Sequence, residues 1–103
     1  QTLTTMATEQ LVPIAIFCQH AEVEPPFVHS LMERGLITLI IQQEQEYIAQ
    51  EHLPRLEQLV RMHYELEINL EGIEAISHLL ERVERMQQDL RTLRERLDMY
   101  EPR

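Results

Sequence analysis

Residues 53–97 are LPRLEQLVRMHYELEINLEGIEAISHLLERVERMQQDLRTLRERL, and the spacing of their apolar side chains decides the fold. The pattern predicts two helices separated by a short polar corner, a third helix of the chain over residues 53–66 and a longer last helix over residues 69–101. In the last helix, apolar residues recur at alternating steps of three and four, which is the heptad pattern of a coiled coil. These residues, called the seam below, are Ile76, Leu79, Val83, Met86, Leu90, Leu93, Leu97 and Tyr100.

The seam is too long for the rest of so short a chain to cover. A helix of about 28 residues measures roughly 42 Å, and a third helix of about 14 residues can cover only its N-terminal half. We therefore predict a homodimer in which the seams of two copies pack together. The alternative is a seam that packs within the chain and leaves its C-terminal part frayed. The charges beside the seam do not decide between parallel and antiparallel pairing.

The residues before this stretch, 9–52, predict a winged helix-turn-helix. Pro13 can begin a short helix over residues 13–20, and Pro25 with Pro26 can begin a second one that ends at Gly35. The apolar runs Leu36–Ile41 and Tyr47–Ile48 flank QQEQE, which predicts two strands of a small β wing. The fold class is therefore mainly α: a winged helix-turn-helix followed by an α-hairpin whose long C-terminal helix is coiled-coil-like, all within one domain of residues 1–103.

Three residues of the two C-terminal helices have specific predicted roles. Asn69 is a suitable N-cap for the last helix. Gly72 weakens the first turn of that helix, which indicates close packing there against the third helix. His63 lies on the apolar stripe of the third helix with Leu53, Leu56, Leu59, Val60 and Leu66, and we expect it to be a hydrogen-bonded core histidine rather than a ligand.

The chain is strongly acidic. It has 18 Asp and Glu residues against 9 Arg, no Lys, and a formal net charge of −9. This net negative charge repels phosphate backbones, so nucleic acid is an unfavourable partner. A basic protein surface is a favourable partner. No apolar run is long enough to span a bilayer, and the N-terminus lacks the pattern of a signal peptide. We therefore predict a cytoplasmic protein without a membrane partner.

The single cysteine, Cys18, suggests neither a disulfide nor a catalytic site. It could be imagined as a metal ligand with His20 and His29, but this spacing is not that of a recognised closed site and a fourth ligand is missing. Cys18 and His20 lie two positions apart on a helix and do not face each other as nucleophile and base would. We expect Cys18 to be a small buried hydrophobic residue, and the chain to have no metal, no cofactor and no enzymatic activity.

Three short stretches carry a likeness to a known family. They are Phe17-Cys18-Gln19-His20, then Leu36-Ile37 directly after Gly35, and finally RMHYEL at 61–66 with NLEGI at 69–73. In their order and spacing the chain resembles, over about residues 11–100, the CbpM family of bacterial chaperone modulators, which share the layout of MerR-like regulators. One departure is Glu22, which stands where the family usually has Gly. If this position requires a positive φ, Glu22 carries strain.

The resemblance implies a non-enzymatic regulator that binds the J-domain of a DnaJ-type co-chaperone (CbpA), limiting its stimulation of DnaK and its association with DNA. The residues add a physical reason, because residues 22–51 contain six glutamates and one arginine, Arg34. A DNA-reading surface would instead concentrate arginine and lysine there. The residues expected to contact the partner lie on the wing and the third helix: Glu44, Glu46, Tyr47, Glu51, Glu57, Arg61 and Glu65.

Other interpretations remain open at this point. The acidic face could simply be solvated, which would serve solubility. A MerR-like transcription regulator that binds DNA is the main alternative function. A dimerising adaptor with an unrelated partner is a third.

Overall fold

The computed structural model describes residues 10–100, and the fold is the predicted one: a winged helix-turn-helix followed by a helical hairpin with a long last helix. The predicted boundaries at residues 1, 9, 101 and 103 lie outside the described residues. The elements are β1 (Leu11–Pro13), α1 (Ile14–Ala21), α2 (Pro25–Glu33), β2 (Ile40–Gln42), β3 (Gln45–Ala49), a 3-10 turn (Gln50–His52), α3 (Leu53–Tyr64) and α4 (Leu70–Tyr100).

The wing contains three antiparallel strands rather than two. The strand order is β1-β3-β2, with Val12 opposite Ile48 and Ile40 opposite Tyr47. The sequence did not predict β1, because a strand of three residues is too short to show alternation. Pro13 ends this edge strand, where the missing N–H breaks no ladder.

The predicted strand over 36–41 was wrong in its first four residues. Leu36 and Ile37 are buried, but they form a bend that fills the core after α2, and β2 begins only at Ile40. In its first part, the apolar run therefore indicated buried side chains and not a β-strand. Arg55 of α3 holds this bend, because its Nε donates to the carbonyl of Leu36 at 2.8 Å.

The turn of the wing has two residues, Gln43 and Glu44, between the paired Gln42 and Gln45. Their φ angles are 52° and 64°, so both are left-handed, as in a type I′ hairpin turn. Such turns usually carry Asn-Gly, which is why the sequence did not identify the turn type. Most of QQEQE, predicted as loop, therefore belongs to the strands.

The helix-turn-helix depends on two left-handed residues. Glu22, which ends α1, has φ 57°, so the strain expected for a residue in the place of glycine is present. Gly35, two residues after the end of α2, has φ 76°, as predicted for the residue that ends this helix. There the N–H of Leu36 donates to the carbonyl of Leu31 at 2.9 Å.

The hydrophobic core lies between the helix-turn-helix, the sheet and α3. Cys18 is buried in it, as predicted. Leu66, predicted on the apolar stripe, is instead 65% exposed because α3 ends at Tyr64, and Met62 takes a buried place. The fully buried large side chains are Val28, Leu31, Ile48, Leu56, Leu59 and Ile73.

The corner between α3 and α4 is fixed by short contacts. The side chain of Asn69 accepts the N–H of Gly72 at 2.8 Å, which confirms its role as N-cap. Gly72 is closely packed, but the neighbour is Ile68 of the corner and not α3: a Cβ there would lie 2.7 Å from Ile68 Cγ2. His63 is a core histidine, because its Nδ1 donates to the Ile68 carbonyl at 3.0 Å and its ring stacks on Phe27.

Helix α4 leaves the body of the protein after its third turn, where Glu81 lies 3.8 Å from Arg55 of α3. Ile73 and Ser77 are buried and Ile76 packs partly on the core, whereas the seam from Leu79 to Tyr100 is exposed. Its 31 residues span about 46 Å, which accounts for most of the 57 Å length of the molecule. No helix within residues 10–100 combines the length and the apolar character needed to cross a membrane.

Candidate protein-binding surface

The acidic side chains of the winged helix-turn-helix face solvent. Of the six glutamates between residues 22 and 51, Glu46 is half-buried and the other five are exposed. Local structure explains much of this exposure. Glu22 and Glu44 occupy turns with positive φ, and Glu24 stands just before the proline-initiated start of α2.

The only arginine of residues 22–51, Arg34, is bound to helix α4. Arg34 Nη1 donates to Glu74 of α4 at 2.9 Å, and Nη2 lies 3.4 Å from Glu71. The cation of Arg34 is therefore compensated by two carboxylates of α4. Helix α2, the recognition helix of the motif, contains neither Arg nor Lys.

A second contact joins α2 to the wing. His29 Nε2 lies 2.7 Å from Glu46 Oε1, and both side chains are about two-fifths to one-third exposed. This contact fixes the carboxylate of Glu46 beside the helix. At the start of α2, the backbone N–H of Glu24 donates to the hydroxyl of Tyr64 at 3.2 Å, which fixes the main chain there and leaves the carboxylate exposed.

The residues predicted to contact a partner fall into two groups. Glu44, Glu46 and Tyr47 lie on the wing, where Tyr47 is half-buried in the central strand. Glu57, Arg61 and Glu65 recur at steps of four on the exposed side of α3 and its end. Glu51 lies between these groups in the 3-10 turn, 3.6 Å from His52. Among residues 10–100, Arg61 forms no ion pair.

Glu44 and Glu46 line a common depression. This groove, called the wing groove below, lies between α1, the start of α2 and the turn of the wing, and has a volume of about 460 Å³. Its apolar lining comes from Ile14, Ala15, Pro25 and Ile41. The sequence did not identify these four residues as part of a site, because Ile14 and Ile41 belong to apolar stretches. For Ile41 there was a usable signal: Ile40 and Ile41 are neighbours in a strand, so their side chains must face opposite sides of the sheet.

The residues considered as metal ligands are not brought together. Cys18 is buried in the core, and loss of solvation raises the pKa of its thiol. His20 is exposed at the end of α1, and His29 is engaged with Glu46. Within the part of the chain that the structure describes, no group of three or more His, Cys, Asp or Glu side chains is placed to hold a metal ion.

The predicted dimerisation residues form one continuous apolar stripe on α4. Ile76 belongs partly to the core, and the remaining seven residues, from Leu79 to Tyr100, are each at least 47% exposed. The α3 helix does not cover this stripe. Seven large apolar side chains left in water on one helix are typical of a surface that binds another protein.

Comparison with known proteins agrees with this geometry. The family model for "MerR HTH family regulatory protein" matches residues 12–95, which include the helix-turn-helix, the wing, α3 and most of α4. The chain is also similar to "Chaperone modulatory protein CbpM" of Pseudomonas entomophila (strain L48), with 29% identity over 84 residues, covering 81% of this chain and 83% of that protein. No solved structure matches the chain. The chain therefore belongs to the MerR HTH family of regulatory proteins, and within that fold it resembles the CbpM chaperone modulators.

Proposed function

We propose that the protein is a chaperone modulator that binds the J-domain of a DnaJ-type co-chaperone (CbpA) and inhibits its activity. The observation that carries this proposal is the charge of the helix-turn-helix and wing. Five of the six glutamates between residues 22 and 51 are exposed, and the single arginine is bound to α4. This surface attracts cations and repels phosphate.

The J-domain has the complementary chemistry, because J-domains engage their Hsp70 partner through a basic helix. A protein that covers that helix with carboxylates prevents it from reaching the Hsp70, which accounts for inhibition without any catalytic step. The contact residues of this proposal are those on the wing and α3: Glu44, Glu46, Tyr47, Glu51, Glu57, Arg61 and Glu65. Exposed charges of this kind chiefly set the association rate and its dependence on salt, and half-buried apolar neighbours such as Tyr47 and Leu53 contribute more of the affinity.

The active form in this proposal is a homodimer. Two copies paired through α4 would cover the exposed side chains between Leu79 and Tyr100, which the single chain leaves in water. Each dimer would then present two acidic surfaces, one at each winged helix-turn-helix. The cytoplasm, where such a partner would be met, remains the predicted compartment.

The test is capture of the J-domain of CbpA on immobilised protein at several salt concentrations. The triple variant Glu44→Lys, Glu46→Lys and Glu51→Lys should lose roughly tenfold or more in affinity and most of the salt dependence. The matched control changes the net charge equally but on the outward side of α4: Glu84→Lys, Glu95→Lys and Asp98→Lys. Capture that is equal for both variants would place the binding surface elsewhere.

A second candidate function is DNA binding, which the match to a family of helix-turn-helix regulators favours. Fluorescence anisotropy with random duplex DNA at low salt distinguishes the two functions. The proposed function predicts little binding even at about 50 mM salt, where phosphate contacts are strongest. Tight, salt-sensitive DNA binding would support the transcription regulator instead. A protein that binds neither the J-domain nor DNA would be an adaptor for another partner.

A further inference from the structure

The wing groove differs from the rest of the acidic surface in having apolar side chains beside its carboxylates. Of these apolar lining residues, Ile41 is 68% exposed, Ala15 and Pro25 are exposed, and Ile14 is buried. Its volume of about 460 Å³ is within the range of ligand pockets. A surface that served solubility alone would not need apolar side chains beside its glutamates, so the groove indicates a more specific role.

Two carboxylates, those of Glu44 and Glu46, are among the lining residues of this groove. Glu44 is at the tip of the wing, where two successive left-handed residues set the direction of the chain. Glu46 is oriented by the contact of its Oε1 with His29, and within residues 10–100 its other oxygen accepts no hydrogen bond. An acceptor that is already fixed loses little conformational freedom on binding.

We propose that the wing groove receives one basic side chain, arginine or lysine, of the protein partner. The aliphatic stem would lie on Ile14, Ala15, Pro25 and Ile41, and the charged head would be bound by Glu44 and Glu46. Only the long basic side chains combine an apolar stem with a cationic end, so they match the groove in both of its parts. Arginine in a pocket at the centre of an interface commonly carries a large share of the binding energy.

This inference rests on the proposed function for the identity of the partner but not for the chemistry of the groove, so the two are tested separately. For the groove alone, the probe is n-butylguanidinium, with the neutral n-butylurea as its control. In ¹H–¹⁵N NMR spectra of the full chain, n-butylguanidinium should shift the amides of residues 14–15, 41 and 44–46, and n-butylurea should not. Shifts elsewhere, or equal shifts with both compounds, would overturn the inference.

For the partner, the variants Ala15→Trp, which fills the groove from an exposed position, and Glu44→Gln, which removes one charge, are compared by J-domain capture. Each should lose roughly tenfold in affinity. The matched controls, Ala75→Trp and Glu95→Gln on α4, should remain within about twofold. Circular dichroism verifies folding, and Ile41→Ser serves as a second groove variant if Ala15→Trp does not fold.

The outcomes separate the two proposals. If the unaltered chain captures the J-domain and the groove variants capture it equally well, the groove inference is wrong and the function stands. If the unaltered chain does not capture the J-domain, the function is wrong and the NMR experiment alone decides whether the groove binds a basic side chain.

Discussion

The guanidinium of Arg34, directly after α2, donates a hydrogen bond to the carboxylate of Glu74 in α4 at an Nη1–Oε1 distance of 2.9 Å. The two residues are 40 positions apart in sequence. This contact joins the helix-turn-helix to the first turns of the long helix, and it compensates the charge of the only arginine of residues 22–51.

The strength of this contact can be measured in a double-mutant cycle with Arg34→Met and Glu74→Gln. Both side chains are about one-third exposed, so we expect a coupling free energy of about 0.5–1 kcal/mol from denaturant unfolding. Glu71 provides the control, because its side chain is 74% exposed and lies 3.4 Å from Arg34. Its coupling should be below about 0.3 kcal/mol. Equal coupling of the two glutamates would contradict this assignment.

Glu22→Gly should stabilise the protein. Glu22 has φ 57°, a conformation that costs an L-residue about 1–2 kcal/mol and glycine almost nothing. After the larger entropy of glycine in the unfolded chain is subtracted, we expect a gain of roughly 0.5–1 kcal/mol in the free energy of unfolding. The control is Glu24→Gly, where φ is −76° and only the entropy term acts, so stability should fall. A loss in both variants would show that Glu22 is not strained.

Gly72→Ala should destabilise the protein although alanine favours helices. The gain in helix propensity is about 1 kcal/mol, but the new Cβ would lie 2.7 Å from Ile68 Cγ2, and overpacking costs about 1–3 kcal/mol. We expect a net loss of about 1 kcal/mol in thermal or denaturant unfolding. In an Ile68→Leu background, which removes the branched methyl group, the same change should become neutral or stabilising. Persistence of the full loss there would mean that Ile68 is not the obstacle.

Leu90→Glu should yield monomers in sedimentation equilibrium if the seam is the dimer contact. Leu90 is 51% exposed in the single chain, so its replacement should leave the fold of the chain intact. A glutamate within a paired seam, in contrast, would be buried without compensation in either orientation of the two helices. Gln88→Glu adds the same charge on the outward side of α4 and should leave the mass unchanged. A dimeric Leu90→Glu protein would exclude the seam as the contact.

Cys18 should make stability depend on pH in the alkaline range. Burial raises the pKa of its thiol above the ordinary value of 9.0, so the unfolded chain loses this proton at a lower pH than the folded one. Between the two pKa values the folded state binds more protons, and the free energy of unfolding falls as pH rises above about 9. The measurement is denaturant unfolding from pH 8 to 10.5, with Cys18→Ala as the reference. Identical pH profiles for the two proteins would refute this dependence.

The long periodic segments were predictable because their pattern repeats many times. Helix α3 begins at Leu53, as its apolar stripe predicted. Helix α4 extends to Tyr100, because a heptad pattern sustained over several turns fits a helix and not a strand. Two predictions from single residues were also confirmed, because each has a strong stereochemical basis. Gly35 has a positive φ after α2, and Asn69 caps the start of α4.

The remaining features depend on contacts that one stretch of sequence does not contain. Strand β1 has three residues and exists because β3 offers it a free edge. Helix α3 ends at Tyr64, so Leu66 lies outside the core. The apolar pattern alone had placed the end of this helix two residues later. The wing groove combines Ala15, Pro25 and Ile41 from three elements, so only the tertiary fold brings its lining together.

Strand β3 is paired on both sides, with β1 along one edge and β2 along the other. The wing is consequently not an arm that can swing independently: moving the β2–β3 hairpin would require breaking the ladder between β3 and β1. Recognition by this surface should therefore resemble the docking of two rigid bodies, in which discrimination among related partners depends on their shape and on where their charges fall, with little adjustment by the protein itself.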